Sequence, residues 1–321
     1  MTDTDAHPHL TSLRRDGYVI IPSILSAQDL STLRDAASRL TEIARTGAWP
    51  HIRTVGKQFP PWDASLVPAQ TGIWGVQHLL HPSLPVPQSD RDAFARAYFA
   101  PPLLGVAKEL LGLPAGREGD EALVMELLNM LVRPDGARGF ALRWHRDDIP
   151  SSATPDEEAE RLGVRRDDDD GGGGDKVFLH TQWNLPLFED DSLIVVPGSH
   201  RRVRTAVERA ADPYEDQLPG MVRVKLRPGD VVFYDNNILH RGVYEAGKER
   251  MTLHGSVGHV KGSRQRARNV LQHGVGEWVD RCDFSGLGDG PERETAEGMR
   301  RRLVALGREN QGKDIGYSLD G

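Results

Sequence analysis

Residues 142–148 read Leu-Arg-Trp-His-Arg-Asp-Asp. On an extended backbone, residues two apart point to the same side, so His145 and Asp147 converge while Trp144 and Arg146 turn away. One imidazole and one carboxylate can ligate a metal, but a His-x-Asp pair alone is common by chance. The third ligand must come from another strand. His240, in Asn-Asn-Ile-Leu-His-Arg-Gly (236–242), is the candidate; it is expected to close an apolar strand. Two histidines and one carboxylate on one face of an iron leave three positions open for other ligands. Zinc with three protein ligands and a water fits the same residues.

A fourth residue points to the same chemistry. In the strand that starts at Arg250, Arg250, Thr252, His254 and Ser256 share one face, and Met251, Leu253 and Val257 the other. An inward arginine is costly unless it meets an anion. Its planar fork suits a carboxylate, and the Thr252 hydroxyl can add a third hydrogen bond. The strand therefore reads as a holder for the far end of a dicarboxylate. The alternative is an internal salt bridge to an Asp or Glu.

The bulk properties exclude several classes. The chain has 321 residues, 38 % of them hydrophobic, so it can still bury a sizeable core. A net charge of -7 makes nucleic acid a poor partner. Its one cysteine, Cys282, rules out an internal disulfide and a cysteine-based zinc site. No apolar run of about 18 residues is present, and the first residues lack the apolar core of a signal peptide. A cytoplasmic location without membrane attachment is the expectation.

The elements that must hold these residues are legible in part. Residues 18–21 (Tyr-Val-Ile-Ile) predict a short strand, and Ser26 with Asp29 a capped helix carrying Leu30, Leu33, Ala37, Leu40 and Ala44 on one face. Residues 48–88 show little periodicity; Trp49, Phe59, Trp62 and Trp74 argue for a packed loop or a pocket wall. Helical spacing runs from Asp92 to Leu111, broken at Pro101–Pro102, and residues 122–132 read as a buried strand. The Asp/Gly run at 165–175 reads as a flexible insertion. Strands are expected at 177–187 (Gln182 and Asn184 on the face of His180), 192–200 and 251–260. Two more fall within 221–242, split by a hairpin-like turn at Arg227–Asp230. From about residue 261 the chain turns helical. Closely spaced strands with Gly/Pro turns favour an antiparallel sandwich or barrel over an alternating βαβ fold.

Taken in order, Arg14–Ser26, Trp144–Asp147, Leu193–Arg201, Leu226–Gly242 and Arg250-Met-Thr resemble the phytanoyl-CoA dioxygenase family of Fe(II)/2-oxoglutarate-dependent oxygenases. The resemblance spans most of residues 13–260. It implies a single mainly-β domain with flanking helices: a double-stranded β-helix, the cupin-like jelly-roll barrel. It implies iron at His145, Asp147 and His240, and 2-oxoglutarate held by Arg250 with Thr252. Asn129 stands where family members often carry a glutamine near the cosubstrate. Trp144, Gln182, Asn184 and His254 are candidates for the substrate pocket. His200 is read as a brace, and His78 and His81 as loop histidines. The implied reaction consumes O2 and 2-oxoglutarate, releases succinate and CO2, and hydroxylates a small metabolite, with desaturation or cyclisation as variants. Asp147 favours hydroxylation, because related halogenases lack that carboxylate. A non-catalytic barrel that binds metal and dicarboxylate as a sensor or structural subunit is the alternative; a zinc or manganese isomerase is a third, weaker reading.

Overall fold

The computed structural model describes residues 7–54, 72–136, 138–165, 177–262, 270 and 274–311. Among the described residues all strand pairing is antiparallel and falls into two sheets. The large sheet has the order β1-β9-β6-β11-β4-β3-β2, built from Tyr18–Ile21, Val231–Tyr234, His180–Pro186, Met251–His259, Leu123–Val132, Gly75–Val76 and Ile52–Arg53. The small sheet has the order β5-β10-β7-β8, built from Phe140–Ala141, Leu239–Tyr244, Leu193–Val196 and Val222–Arg223. The jelly-roll expectation holds, with one difference. Among the described residues the two sheets face each other without closing into a hydrogen-bonded barrel; His145 and His240 form an isolated bridge beside the small sheet.

The two faces of the large sheet have opposite chemistry, which follows from period-two alternation. Leu128, Met130, Val132, Trp183, Leu185, Phe233, Leu253 and Val257 point outward into the main hydrophobic core. Helices cover that face. Helix α1 (Pro8–Asp16) leads into β1, and α2 (Ala27–Arg45) follows it. Ser26 caps α2 by accepting from the Asp29 amide at 3.1 Å, and Leu33, Ala37, Leu40 and Ala44 are buried along its inner stripe. Helices α3 (Gln88–Tyr98) and α4 (Pro101–Leu110) meet where the paired prolines interrupt the helical spacing. The C-terminal helix α5 (Pro291–Glu309) is part of the same core through Met299, Leu303 and Leu306. Its Arg302 donates to the Leu123 and Asp120 carbonyls. No helix among the described residues is long and apolar enough to cross a membrane.

Three expectations need correction. The segment 48–88 contains β2 and β3, edge strands too short to show a period. The turn at Arg227–Asp230 is not a hairpin: β8 before it pairs in the small sheet and β9 after it in the large one. Asp230 fixes this crossover by accepting from the amides of Arg227 and Ser23. His240 does not close a strand; it is the second residue of β10, a separate strand that follows the turn after β9. Phe59, Trp62 and residues 166–175 of the Asp/Gly run lie outside the described residues.

Candidate metal centre

The inward faces carry the polar residues. Register places Asn129, His254 and Asn184 in one row across β4, β11 and β6, with Ser256, Gln182 and Tyr234 in the next. The His145 segment pairs with β10 through mutual backbone bonds with His240, each 3.0 Å. Those bonds set the two imidazoles side by side, with ring centroids 4.3 Å apart.

The ring orientations suit a metal. His145 Nδ1 donates to the Arg143 carbonyl and His240 Nδ1 to the Ile238 carbonyl, both at 2.8 Å. A proton fixed on Nδ1 leaves each Nε2 lone pair free for a cation. The Nε2 atoms of His145 and His240 lie 3.5 and 3.7 Å from Asp147 Oδ1. Ligand atoms of His145, Asp147 and His240 all fall within 4.8 Å of one another, so the three expected ligands meet in space. Gln182 Nε2 donates to the other carboxylate oxygen, Asp147 Oδ2, at 2.8 Å, leaving Oδ1 to face the imidazoles. This donor set of two nitrogens and one oxygen on one side fits an iron with open positions.

Electrostatics follow depth. Burial opposes ionisation of Asp147, but His240, then His145 and the Gln182 amide, outweigh it and hold the carboxyl below its ordinary range. The Asp147 side chain keeps 35 % of its surface accessible. Burial pushes His240, His254 and His81 each down to about 4. A neutral buried histidine contributes stability above its unfolded value of about 6.5, and that stability is lost as the pH falls through the folded value. The metal-free protein should therefore lose stability between about pH 6.5 and 4. Urea midpoints across that window test this, and His81→Asn should flatten the slope; an unchanged midpoint would contradict the burial argument.

The Asp147 segment is clamped from outside. Arg146 pairs with Glu158 at 2.8 Å, with both side chains almost fully buried, and donates to the carbonyls of Ser199, Asn237 and Arg202. Glu158 also accepts from Arg204 and Arg209. This cluster ties the His145 segment to the turns that follow β7 and β9.

Most of the remaining candidates lie where the alternation put them. Gln182, Asn184 and His254 face inward, and His254 Nδ1 meets Asn184 Oδ1 at 2.8 Å. Asn129 faces inward opposite His254; its Oδ1 accepts from the His78 amide, and its Nδ2 is buried without a hydrogen-bond partner. Trp144 is the exception as a pocket residue. It packs with Ile194, Val196, Leu218 and Leu239 on the outer side of the small sheet, and its Nε1 donates to the Glu215 carbonyl. His200 is the brace that its turn suggested, packed against Gly17 with Nε2 3.1 Å from the Arg14 carbonyl. His78 stacks on His51, and His81 meets Trp49 edge-on and Trp278 at a tilt; neither belongs to the group of three ligand candidates.

Arg250 is inward and buried, and the internal salt bridge is present: its Nε donates to Asp190 Oδ2 at 2.9 Å, and the Thr252 hydroxyl donates to the same oxygen. Its Nη1 is buried with no hydrogen-bond partner, and its guanidinium lies 4.2 Å from the Tyr244 ring centre. Sequence reasoning missed Asp190, Tyr244, Arg53 and Gln77. The last two sit on and beside strands too short to show alternation. Asp190 gave no signal, because its partner is 60 residues away.

Gln182→Leu should weaken metal binding about 10- to 100-fold while preserving the fold, the usual effect of removing a hydrogen bond to a ligating group. Titration with Fe(II) or Co(II) reads this directly. Equal affinity in the variant would show that the bond does not orient Asp147.

Two antiparallel sheets thus bring a His-x-Asp pair and a distant His together. Residues 13–165 match the family model described as Phytanoyl-CoA dioxygenase (PhyH). His240 and Arg250 lie beyond the matched residues, so their placement rests on the structure. Among solved structures, AviO1 from Streptomyces viridochromogenes Tue57 is similar: 19 % identity, TM-score 0.50, covering 80 % of this chain and 96 % of that one. EctD from S. alaskensis, solved with 2-oxoglutarate and 5-hydroxyectoine, is similar at 21 % identity and TM-score 0.51, covering 79 % and 76 %. Those two likenesses concern the fold. No curated protein sequence matches the chain.

Proposed function

We propose that this protein is an Fe(II)- and 2-oxoglutarate-dependent dioxygenase that oxidises a small molecule in the hollow between its sheets. The observation that carries the reading is the convergence of His145 Nε2, Asp147 Oδ1 and His240 Nε2, with both imidazole protons already engaged elsewhere. His145, Asp147 and His240 would hold the iron, which supplies oxygen activation when bound. The chain's own contribution is binding, orientation and exclusion of water. Gln182 keeps Asp147 aimed. Arg250 Nη1 offers a buried donor to a distal carboxylate, with Thr252 beside it, although Asp190 shares both. Asn129, Asn184 and His254 line the same interior and are positioned to meet the cosubstrate or substrate. The described elements act as one catalytic domain, with α5 bound into its core.

The test is anaerobic binding of 2-oxoglutarate to the Fe(II)-loaded protein, followed by succinate release on admitting O2. Binding and succinate are both expected, the latter slow without the native substrate. Binding without succinate, across a panel of candidate substrates, would favour the non-catalytic alternative. Absence of binding would end the dioxygenase reading.

A further inference from the structure

We propose that Arg241 is a positioning residue of the metal centre. With Trp144 it clips the segment Pro213–Glu215 to the back of the two histidine-bearing strands, and so fixes how far apart His145 and His240 stand. The proposal rests on the metal assignment above and concerns the opposite face of the same backbone.

One bridge has two faces. His145 and His240 pair antiparallel, each amide donating to the other's carbonyl at 3.0 Å. The next pair along that bridge is Trp144 with Arg241, and alternation turns it outward where the imidazoles turn inward. The guanidinium stands 5.7 Å from the Trp144 ring centre, within cation–π range. Arg241 is 3 % exposed, and its outward neighbours on β10, Leu239 and Val243, are apolar and pack with Trp144.

A buried arginine among aliphatic side chains is costly unless its donors are met. Here backbone carbonyls meet them. Arg241 Nη1 donates to the Tyr214 carbonyl at 2.8 Å and to the Glu215 carbonyl at 2.7 Å. Trp144 Nε1 donates to the same Glu215 carbonyl, and the Trp144 amide to the Pro213 carbonyl, both at 2.8 Å. Asp216 Oδ1 lies 3.7 Å from Arg241 Nη2, but that side chain is 89 % exposed, so water screens the pair. Three successive carbonyls carry the contact.

The clip is itself a folded piece. Asp212 accepts from the Tyr214 amide through Oδ1 and from the Glu215 amide through its carbonyl, at 2.8 and 2.9 Å. Leu218, buried beside Trp144, Ile194 and Leu239, anchors the far end. Each histidine candidate thus has one chain neighbour bound to the same short segment: Trp144 before His145, and Arg241 after His240. Sliding one strand past the other would break bonds at the Glu215 carbonyl, which both neighbours share. A metal asks for ligand atoms placed within a few tenths of an ångström. Groups that orient the ligands typically change affinity about 10- to 100-fold.

The experiment titrates the full-length, metal-free protein with Co(II), whose visible bands report coordination geometry. Arg241→Met keeps an apolar stem over Trp144 and removes the donors. It should weaken Co(II) binding about 10- to 100-fold and displace the bands. Trp144→Phe, which loses the Nε1 donor, should weaken binding about 3- to 10-fold, the scale of one hydrogen bond. Arg241→Lys, which keeps a charge and a donor, should recover part of both effects. Leu40→Ala, in the buried stripe of α2, is the control for lost stability alone: a lower urea midpoint with Co(II) affinity and bands unchanged. Wild-type affinity in Arg241→Met and Trp144→Phe overturns the proposal, as does an equal effect in Leu40→Ala. Weaker binding with unmoved bands also overturns it, because the imidazole spacing is then intact. If Arg241→Met does not fold, Trp144→Phe decides alone. A wild-type protein that takes up no Co(II) sinks the metal assignment instead.

Discussion

Asp147→Ala is expected to lose Fe(II) binding and all succinate formation while keeping the fold. The carboxylate lies between two imidazoles, and its Oδ1 is the oxygen of the three-atom donor set. Two imidazoles alone make a much weaker facial site, and they supply no negative charge to offset a divalent ion. Folding should survive, because the side chain is 35 % accessible and lies outside the packed core. His145→Ala should behave the same way. Metal titration and succinate release read the loss, and circular dichroism with the urea midpoint reads the fold. Wild-type Fe(II) affinity in either variant would refute the metal assignment.

Glu158→Ala should be the most destabilising single change outside the apolar core, at about 3–5 kcal/mol. Its carboxylate is fully buried and receives Arg146, Arg204 and Arg209. Removing it strands Arg146, whose side chain is 2 % exposed, as a buried charge without its anion. The consequence should reach the metal centre, because Arg146 adjoins both His145 and Asp147 and pins their segment to the Ser199 and Asn237 carbonyls. A lowered urea midpoint together with weaker Fe(II) binding is the expected pair of results. Glu158→Gln, which keeps the hydrogen-bonding shape, should recover part of the stability. A midpoint within about 0.5 kcal/mol of wild type would show that the arginines find other partners.

The sequence by itself determined the elements whose physics is local. Ser26 with Asp29 marked a helix start, because a cap needs only residues three apart. The paired prolines marked the boundary between α3 and α4. Strict alternation in 177–187 and 250–256 assigned Gln182, Asn184, Thr252 and His254 to one face before any partner strand was known, because a strand's side chains have a fixed period. His145 and Asp147 were legible together for the same reason.

Tertiary structure alone decided what depends on pairing between distant segments. That His240 reaches His145 follows from a backbone bridge over 95 positions of sequence. That Arg227–Asp230 changes sheets rather than reversing in a hairpin is a choice of partner strand, which a turn's residues do not specify. The Asp190–Arg250 ion pair and the Trp144–Arg241 pair are likewise products of register. β2 and β3 are two residues each, so no period could announce them, and with them went Arg53 and Gln77. Periodicity says which way a side chain points; only the assembled sheets say what it meets.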